Sequence, residues 1–233
     1  MLSTLKNIAV IVAHPDDEVL GCGATMRKLA DQGARVELLV LGEGITSRSK
    51  DRDAIADRDA LKRLSGNCKK ANKVLGSNSI ILKDFPDNRF DSVGLLDIVK
   101  VIEEFLIEKK VQAVFTHHRG DLNIDHQITN RAVITACRPS SKNSPDYILT
   151  FDVLSATEWN FGSRENLFSP NLFVDVEKEL KYKNDALACY DSEVHHFPFP
   201  RSAEAIESQA KRYGSMSNCC FAEAFELIFS RHC

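Results

Sequence analysis

Four short runs of β-branched and apolar residues, at 8–13, 35–41, 79–82 and 111–116, alternate along the chain with longer stretches of helical spacing. Strands separated by helix-length connections rather than tight turns predict crossover units, and so a parallel sheet covered by helices on both faces. The spacing predicts helices at 19–32, 51–75, 95–109 and 125–137, with Gly33 and Gly76 where helix C-caps belong. Beyond Pro139 the pattern weakens: 147–153 and 172–176 read as strands, 178–189 and 204–213 as helices. At 233 residues, with no internal repeat or linker-like tract, the chain predicts one domain, residues 1–233, of the Rossmann-like α/β class with a mostly parallel sheet.

Composition narrows the function. A formal net charge of −3 leaves no broad basic field of the kind that holds nucleic acid. No apolar stretch approaches the roughly 20 residues that span a bilayer. The segment "MLSTLKNIAVIV" runs into the first strand without a small-residue cleavage pattern, so a cytoplasmic location is expected. The seven cysteines are odd in number, scattered and without a C-x-x-C pair, which argues against both a disulfide framework and a thiolate zinc knuckle.

The polar residues gather after the strands. The first strand ends in "AHPDDEVLGCG", and the loops "GEGITSRSKDRD" (42–53), "FPDNRFD" (85–91) and "THHRGDLNIDH" (116–126) follow the next three. In an open parallel sheet such loops share the carboxyl edge, where ligands bind. His14 and Asp17 lie three apart at a helix start, and an imidazole with a carboxylate is a good ligand pair for zinc. His126, in the loop of the fourth strand, is the best third ligand; two histidines and a carboxylate with an open position form the catalytic zinc pattern. Asp16, beside those ligands, fits a general base that later returns a proton to a leaving amine. The competing reading is that Asp16, Asp17 and Glu18 only favour the positive end of a helix, at roughly 0.3–1 kcal/mol each. His117 and His118 follow the fourth strand; one of them is expected to point into the core and either could line the pocket, and His195 and His196 in "SEVHHFPFPRS" are candidates for a substrate contact.

"AHPDDE" after an apolar strand, together with "DLNIDH" at 121–126, resembles the GlcNAc-phosphatidylinositol de-N-acetylase (PIG-L) superfamily and its bacterial LmbE-like relatives. Those include deacetylases of the mycothiol and bacillithiol pathways, of chitobiose and of glycopeptide antibiotics. "PDNRFD" at 86–91, "RSAEAI" at 201–206 and "AEAFEL" at 222–227 extend the resemblance over nearly the whole chain. It implies a Rossmann-like fold, one zinc ion held by His14, Asp17 and His126, Asp16 as general base, and hydrolysis of an N-acetyl group on an amino sugar. Several relatives carry a histidine where this chain has Asn123; an amide there can still donate a hydrogen bond to a developing oxyanion, or His118 or His195 takes that role from another loop. Asp125 is expected to orient a ligand. Arg48, Arg63, Asn88 and Arg89 are candidates for hydroxyl or phosphate contacts.

The resulting expectation is a zinc-dependent N-deacetylase acting on a small acetylated amino sugar or sugar conjugate, soluble or nucleotide-linked. An amidase on a thiol conjugate or another N-acyl substrate would use the same metal site. A non-catalytic Rossmann-like nucleotide-binding module is the third reading, although the first loop lacks G-x-G-x-x-G spacing and its carboxylates would repel a pyrophosphate. The C-terminal third, with "FPFPRS" and adjacent Cys219 and Cys220, reads as a pocket cover or as the subunit interface of a homo-oligomer.

Overall fold

The computed structural model of the chain describes residues 2–46, 58–141, 143–161 and 166–232. Its sheet is built from β1 (Asn7–Val12), β2 (Arg35–Gly42), β3 (Ser79–Phe85), β4 (Ala113–His117), β5 (Tyr147–Phe151), β6 (Leu172–Asp175) and β7 (Ala222–Ser230), in the order β3-β2-β1-β4-β5-β7-β6. The first five strands pair in parallel, and β7 runs antiparallel to both β5 and β6. The long helices are α1 (Asp17–Asp31), α2 (Arg58–Leu75), α3 (Leu95–Lys109), α4 (Ile124–Ala136), α5 (Leu180–Leu187) and α6 (Ala203–Ser217). Residues 51–57, the start of the second expected helix, lie outside the described residues.

Strand β1 shows why the apolar runs are continuous rather than alternating. Ile8, Val10 and Val12 point into a core shared with α1, α2 and α5, while Ala9 and Ile11 point into a second core with α3 and α4. A strand buried on both faces has no solvent side on which to place polar residues. Helices therefore cover both faces, as the α/β pattern predicts. No helix among the described residues is long and apolar enough to cross a membrane.

Two features were not legible in the sequence. No strand was expected after residue 176, yet β7 inserts between β5 and β6. Its period is broken by Glu223, which shares a face with Phe225 and Leu227 but is a charged residue in a buried position. Glu223 is buried because Lys183 Nζ donates to it at 2.7 Å from α5. The second feature is a break in α1 at Cys22 (φ −148°, ψ 20°). There Lys183 also donates to Leu20 O at 2.8 Å, and the Glu223 carboxylate accepts from the N–H groups of Ala24 (3.1 Å) and Thr25 (2.7 Å). One buried ion pair thus satisfies the backbone groups that the break frees on either side.

Next to the break, α1 packs directly against the sheet. A Cβ on Gly21 would stand 2.2 Å from the Phe151 ring, so only glycine lets the first turn of α1 approach β5. Gly21→Ala is expected to destabilise the fold by about 1–3 kcal/mol through overpacking, read as a lower urea midpoint at unchanged slope.

Candidate metal centre and catalytic cavity

The strand order reverses at β1: the chain passes outward to β2 and β3, then returns to place β4 on the other side of β1. Crevices at such switch points, beyond the carboxyl ends of the strands, are where doubly wound sheets hold ligands. The loop after β1 supplies His14, Asp16 and Asp17, and the loop after β4 leads into α4 with Asp121, Asn123, Asp125 and His126. Two backbone ties fix the first loop: Gly42 N–H donates to Ala13 O at 2.7 Å, and Ala13 N–H donates to His117 Nε2 at 2.9 Å.

His14, Asp17 and His126 are buried, and their ligand atoms lie within 4.8 Å of one another. Asp17 Oδ2 is 3.5 Å from His14 Nδ1 and 3.3 Å from His126 Nε2. The far nitrogen of each imidazole meets a carboxylate. His14 Nε2 bonds Asp125 Oδ2 at 2.9 Å, and Asp121 Oδ2 lies 3.1 Å from His126 Nδ1, an off-line contact rather than an aligned hydrogen bond. Carboxylates behind both histidines fix ring orientation and raise basicity, as in metal sites generally. Asp17 Oδ1 is buried with no hydrogen-bond partner, an unused acceptor inside the cluster.

Two other groupings of possible ligands overlap this one, His117–Asp121–His126 and His14–Asp87–Asp125. Their Asp121 and Asp125 carboxylates and the Nε2 of His117 are already engaged. His117 Nε2 accepts from Ala13 N–H; Asp121 accepts from Asn123 N–H (2.8 Å) and Thr157 Oγ1 (2.6 Å); and Asp125 accepts from the N–H groups of Asn88 (2.6 Å) and Phe90 (2.9 Å). The set His14, Asp17 and His126 contains the one carboxylate among these with an unpartnered oxygen, Asp17 Oδ1.

Charge points the same way. Burial disfavours a charged imidazole, but Asp17 and Asp121 outweigh it and push His126 up to about 9, while Asp125 and Asp17 raise His14 well above its ordinary value. Burial would raise Asp17, yet His126 and His117 hold it well below the usual carboxylate range. His117, stacked on His126 with centroids 3.9 Å apart, is pushed down to about 3 by burial and by His126. With Asp17, Asp87, Asp121 and Asp125 converging on it, the pocket is built for positive charge, and the two histidines and one carboxylate suit zinc or a similar divalent ion.

Asp16 stands beside the cluster in a left-handed backbone conformation (φ 113°, ψ −27°), uncommon for a residue with a side chain. Its N–H donates to Glu18 Oε2 at 3.0 Å. Glu18 is fully buried, and its other oxygen accepts from Tyr190 OH (2.7 Å) and Asn72 Nδ2 (2.8 Å). The Asp16 carboxylate accepts from Arg201 Nη1, whose Nε is tied to Ser155 Oγ at 2.7 Å. Burial, opposed by Arg201 and assisted by Asp17, Glu193 and Glu18, raises Asp16 to about 8. A carboxyl poised near neutrality can both accept and return a proton.

A polar cavity of about 120 Å³ opens onto these groups, lined by His14, Asp16, Asp87, Asn88, Asn123, Glu193 and Arg201. Asn123 Oδ1 caps α4 by accepting from Asp125 N–H at 2.8 Å, and its Nδ2 donates to Asn88 Oδ1 at 3.0 Å. The structure therefore brings together His14, Asp16, Asp17, Asn88, Asn123, Asp125 and His126. Other sequence-selected residues lie elsewhere. His118 accepts from Gly120 N–H at 3.0 Å, pairs with Glu226 at 3.3 Å and lines a separate cavity between α4 and β7. His195 is exposed with its ring on Phe199, Arg89 is exposed, and Arg63 lines a neighbouring recess with Ile45 and Ser192. Arg48 lies outside the described residues.

Sequence reasoning missed Glu18, Asp87, Asp121, Glu193 and Arg201. Asp121 and Glu18 stood inside the two motifs but offered no cue beyond being acidic. Arg201 comes from beyond α5, just before Ser202, which caps α6 by accepting from Ala205 N–H at 3.2 Å; nothing in its spacing ties it to Asp16.

The cluster has the donor set of a metal site, and comparison with known proteins supplies the class of enzyme. Residues 9–137 match the family described as PIG-L, GlcNAc-PI de-N-acetylase, and the chain belongs to it as an enzyme of the deacetylase class. An uncharacterized deacetylase, YaiS, of Escherichia coli (strain K12) is 32% identical over 138 residues, covering 57% of this chain and 69% of that protein. The diacetylchitobiose deacetylase of Thermococcus kodakarensis is 27% identical over 235 residues, covering 96% of this chain and 84% of that protein. Among solved structures, N,N'-diacetylchitobiose deacetylase from Pyrococcus horikoshii superposes with a TM-score of 0.77 at 18% identity, covering 97% of this chain and 85% of that one. GalB, the 4-carboxy-2-hydroxymuconate hydratase of Pseudomonas putida KT2440, superposes with a TM-score of 0.73 at 17% identity over 98% of each chain. Those two likenesses show the fold, and the second shows that the fold serves more than one reaction.

Divalent-metal titration of the apoprotein tests the cluster: His126→Ala is expected to abolish binding, and Asp121→Asn to weaken it roughly 10–100-fold, against an unchanged Arg89→Ala control. Glu18→Gln places an amide opposite donors that now find a carboxylate. It is expected to cost about 1–3 kcal/mol of stability and to lower kcat while metal content stays at the parent's level, measured by denaturation, turnover and elemental analysis of one preparation.

Proposed function

We propose that this protein is a zinc-dependent hydrolase that removes the N-acetyl group from an amino sugar or sugar conjugate, releasing acetate and a free amine. The observation that carries the reading is the Asp16 carboxyl at the wall of the polar cavity, next to the His14, Asp17 and His126 cluster and held by Arg201. Zinc on those three residues would supply Lewis acidity to the amide carbonyl. The chain's own groups do the rest. Asp16 takes a proton from the attacking water and passes it to the departing nitrogen, so that the C–N bond breaks to an amine rather than an amide anion. Arg201 keeps the carboxylate aimed into the cavity, and Glu18 keeps its backbone in the conformation that permits this. The amide groups of Asn88 and Asn123 face the same space and suit sugar hydroxyls or the developing oxyanion.

The relatives named as chitobiose deacetylases support an acetylated amino sugar as substrate. A polar cavity lined by three carboxylates and one arginine also suits an uncharged sugar better than a phosphate-rich nucleotide.

Acetate release from N-acetylglucosamine and N,N'-diacetylchitobiose by the zinc-loaded protein is the direct test. Asp16→Asn is expected to reduce kcat by roughly 10²–10⁴-fold with metal content retained. Failure of every N-acetyl substrate, together with hydration of an unsaturated carboxylic acid, would move the assignment to chemistry like that of the hydratase neighbour.

A further inference from the structure

The turn that follows α5 carries a fully buried tyrosine that the hydrolytic chemistry does not use. Tyr190 OH donates to Glu18 Oε1 at 2.7 Å, across 172 positions of sequence. A buried phenol ordinarily finds a partner, and that alone would make Tyr190 a packing residue. Its partner sets it apart. The other oxygen of Glu18 accepts from Asp16 N–H at 3.0 Å, and Asp16 sits at the N-cap of α1 with φ 113° and no capping bond from its own side chain.

The same turn reaches Asp16 a second time. Glu193 N–H donates to Tyr190 O at 2.8 Å, and Glu193 Oε2 lies 3.4 Å from Arg201 Nη1, the nitrogen that also donates to the Asp16 carboxylate. These bonds close a circuit that leaves Asp16 at its N–H, passes through Glu18, Tyr190, Glu193 and Arg201, and returns to Asp16 at Oδ2. The turn itself is anchored: Asp191 accepts from Asn67 Nδ2 of α2 at 3.2 Å, and α2 also supplies Asn72 Nδ2 to Glu18 Oε1 at 2.8 Å. A left-handed backbone at a residue with a side chain costs free energy and persists only where its surroundings over-determine it. The circuit supplies those surroundings.

We infer that Tyr190 is a positioning residue for Asp16: through its hydroxyl and its carbonyl it holds both the backbone and the carboxylate of the proposed proton-transfer group. The inference rests on the deacetylase reading above and extends it to a residue that does not line the cavity. A general base must lie within hydrogen-bond reach of the proton it removes, and a displacement of about 1 Å can cost on the order of 10²-fold in rate. Deleting the Tyr190 hydroxyl leaves Glu18 Oε1 to Asn72, whose Nδ2 is already shared with Cys68 O at 3.0 Å. Glu18 is then free to turn, and the N–H of Asp16 turns with it.

Tyr190→Phe keeps the ring and deletes the donor. Acetate release from N,N'-diacetylchitobiose by the zinc-loaded protein is measured with and without this substitution, in the parent and in an Asp16→Asn background. The Asp16 amide resonance of the isotope-labelled protein provides a readout independent of turnover. In the parent background kcat is expected to fall roughly 10–100-fold, with KM and metal content unchanged. In the Asp16→Asn background the further loss is expected to be less than about twofold, because residues that act as a unit are not additive. The Asp16 amide proton is expected to move upfield as its bond to Glu18 weakens. Asn72→Ser, which removes the other donor to Glu18 Oε1, is expected to give the same pattern and carries the test if Tyr190→Phe does not fold. An equal loss in both backgrounds, a loss that follows KM or metal content, or an unmoved Asp16 amide overturns the inference and leaves Tyr190 a core residue. Absence of acetate from every N-acetyl substrate with the parent overturns the deacetylase reading instead, and the Asp16 amide then decides the positioning by itself.

Discussion

Strand β1 is hydrogen-bonded on both sides, to β2 and to β4, and the site depends on that double pairing. Neighbouring parallel strands lie under 5 Å apart, so the loops leaving β1 and β4 start within side-chain reach of each other. His14 and Asp17 then meet His126 although more than a hundred residues separate them. The contact from Ala13 N–H to His117 Nε2 extends the same pairing beyond the last ladder bond and sets where the HPDD loop turns away from the sheet.

Into this crevice the fold gathers more negative charge than its own cations balance. Asp16, Asp17, Glu18, Asp121 and Asp125 are all essentially buried. Such groups are tolerable only where donors or cations meet them, and each is met differently. Glu18, Asp121 and Asp125 are saturated by neighbouring N–H and O–H donors and act as fixed struts. Asp17 keeps an unpaired oxygen among histidines, and Asp16 is held by a single arginine. That difference supports the proposed division of labour, in which the saturated carboxylates position and the unsaturated ones are left for a metal and a proton. A second buried pair, Lys183 with Glu223, does structural work at the break in α1 and so keeps its first turn aimed at the crevice.

Much of this was legible beforehand. The parallel core could be read because strands buried on both faces are continuous apolar runs, and the convergence of His14 with Asp17 because "HPDDE" places two donors three residues apart at a strand end. Strand β7 was not legible, since Glu223 interrupts its alternation and the reason, Lys183, lies forty residues earlier. His118 was chosen over His117 without a basis in the sequence. Adjacent residues at a strand end point to opposite faces, and which face meets the metal cluster is set by the register of β4 on β1.

The sequence alone determined the α/β class, the edge of the sheet on which the polar loops gather, and the three-residue spacing of His14 and Asp17, because each is written in local periodicity or short spacing; that His126 meets them was decided by the pairing of β4 with β1. Tertiary structure decided which carboxylates orient those histidines and that Arg201 and Glu18 hold Asp16. Those arrangements join residues up to 185 positions apart, and the distances between them are created by strand order and loop packing, which no local pattern encodes.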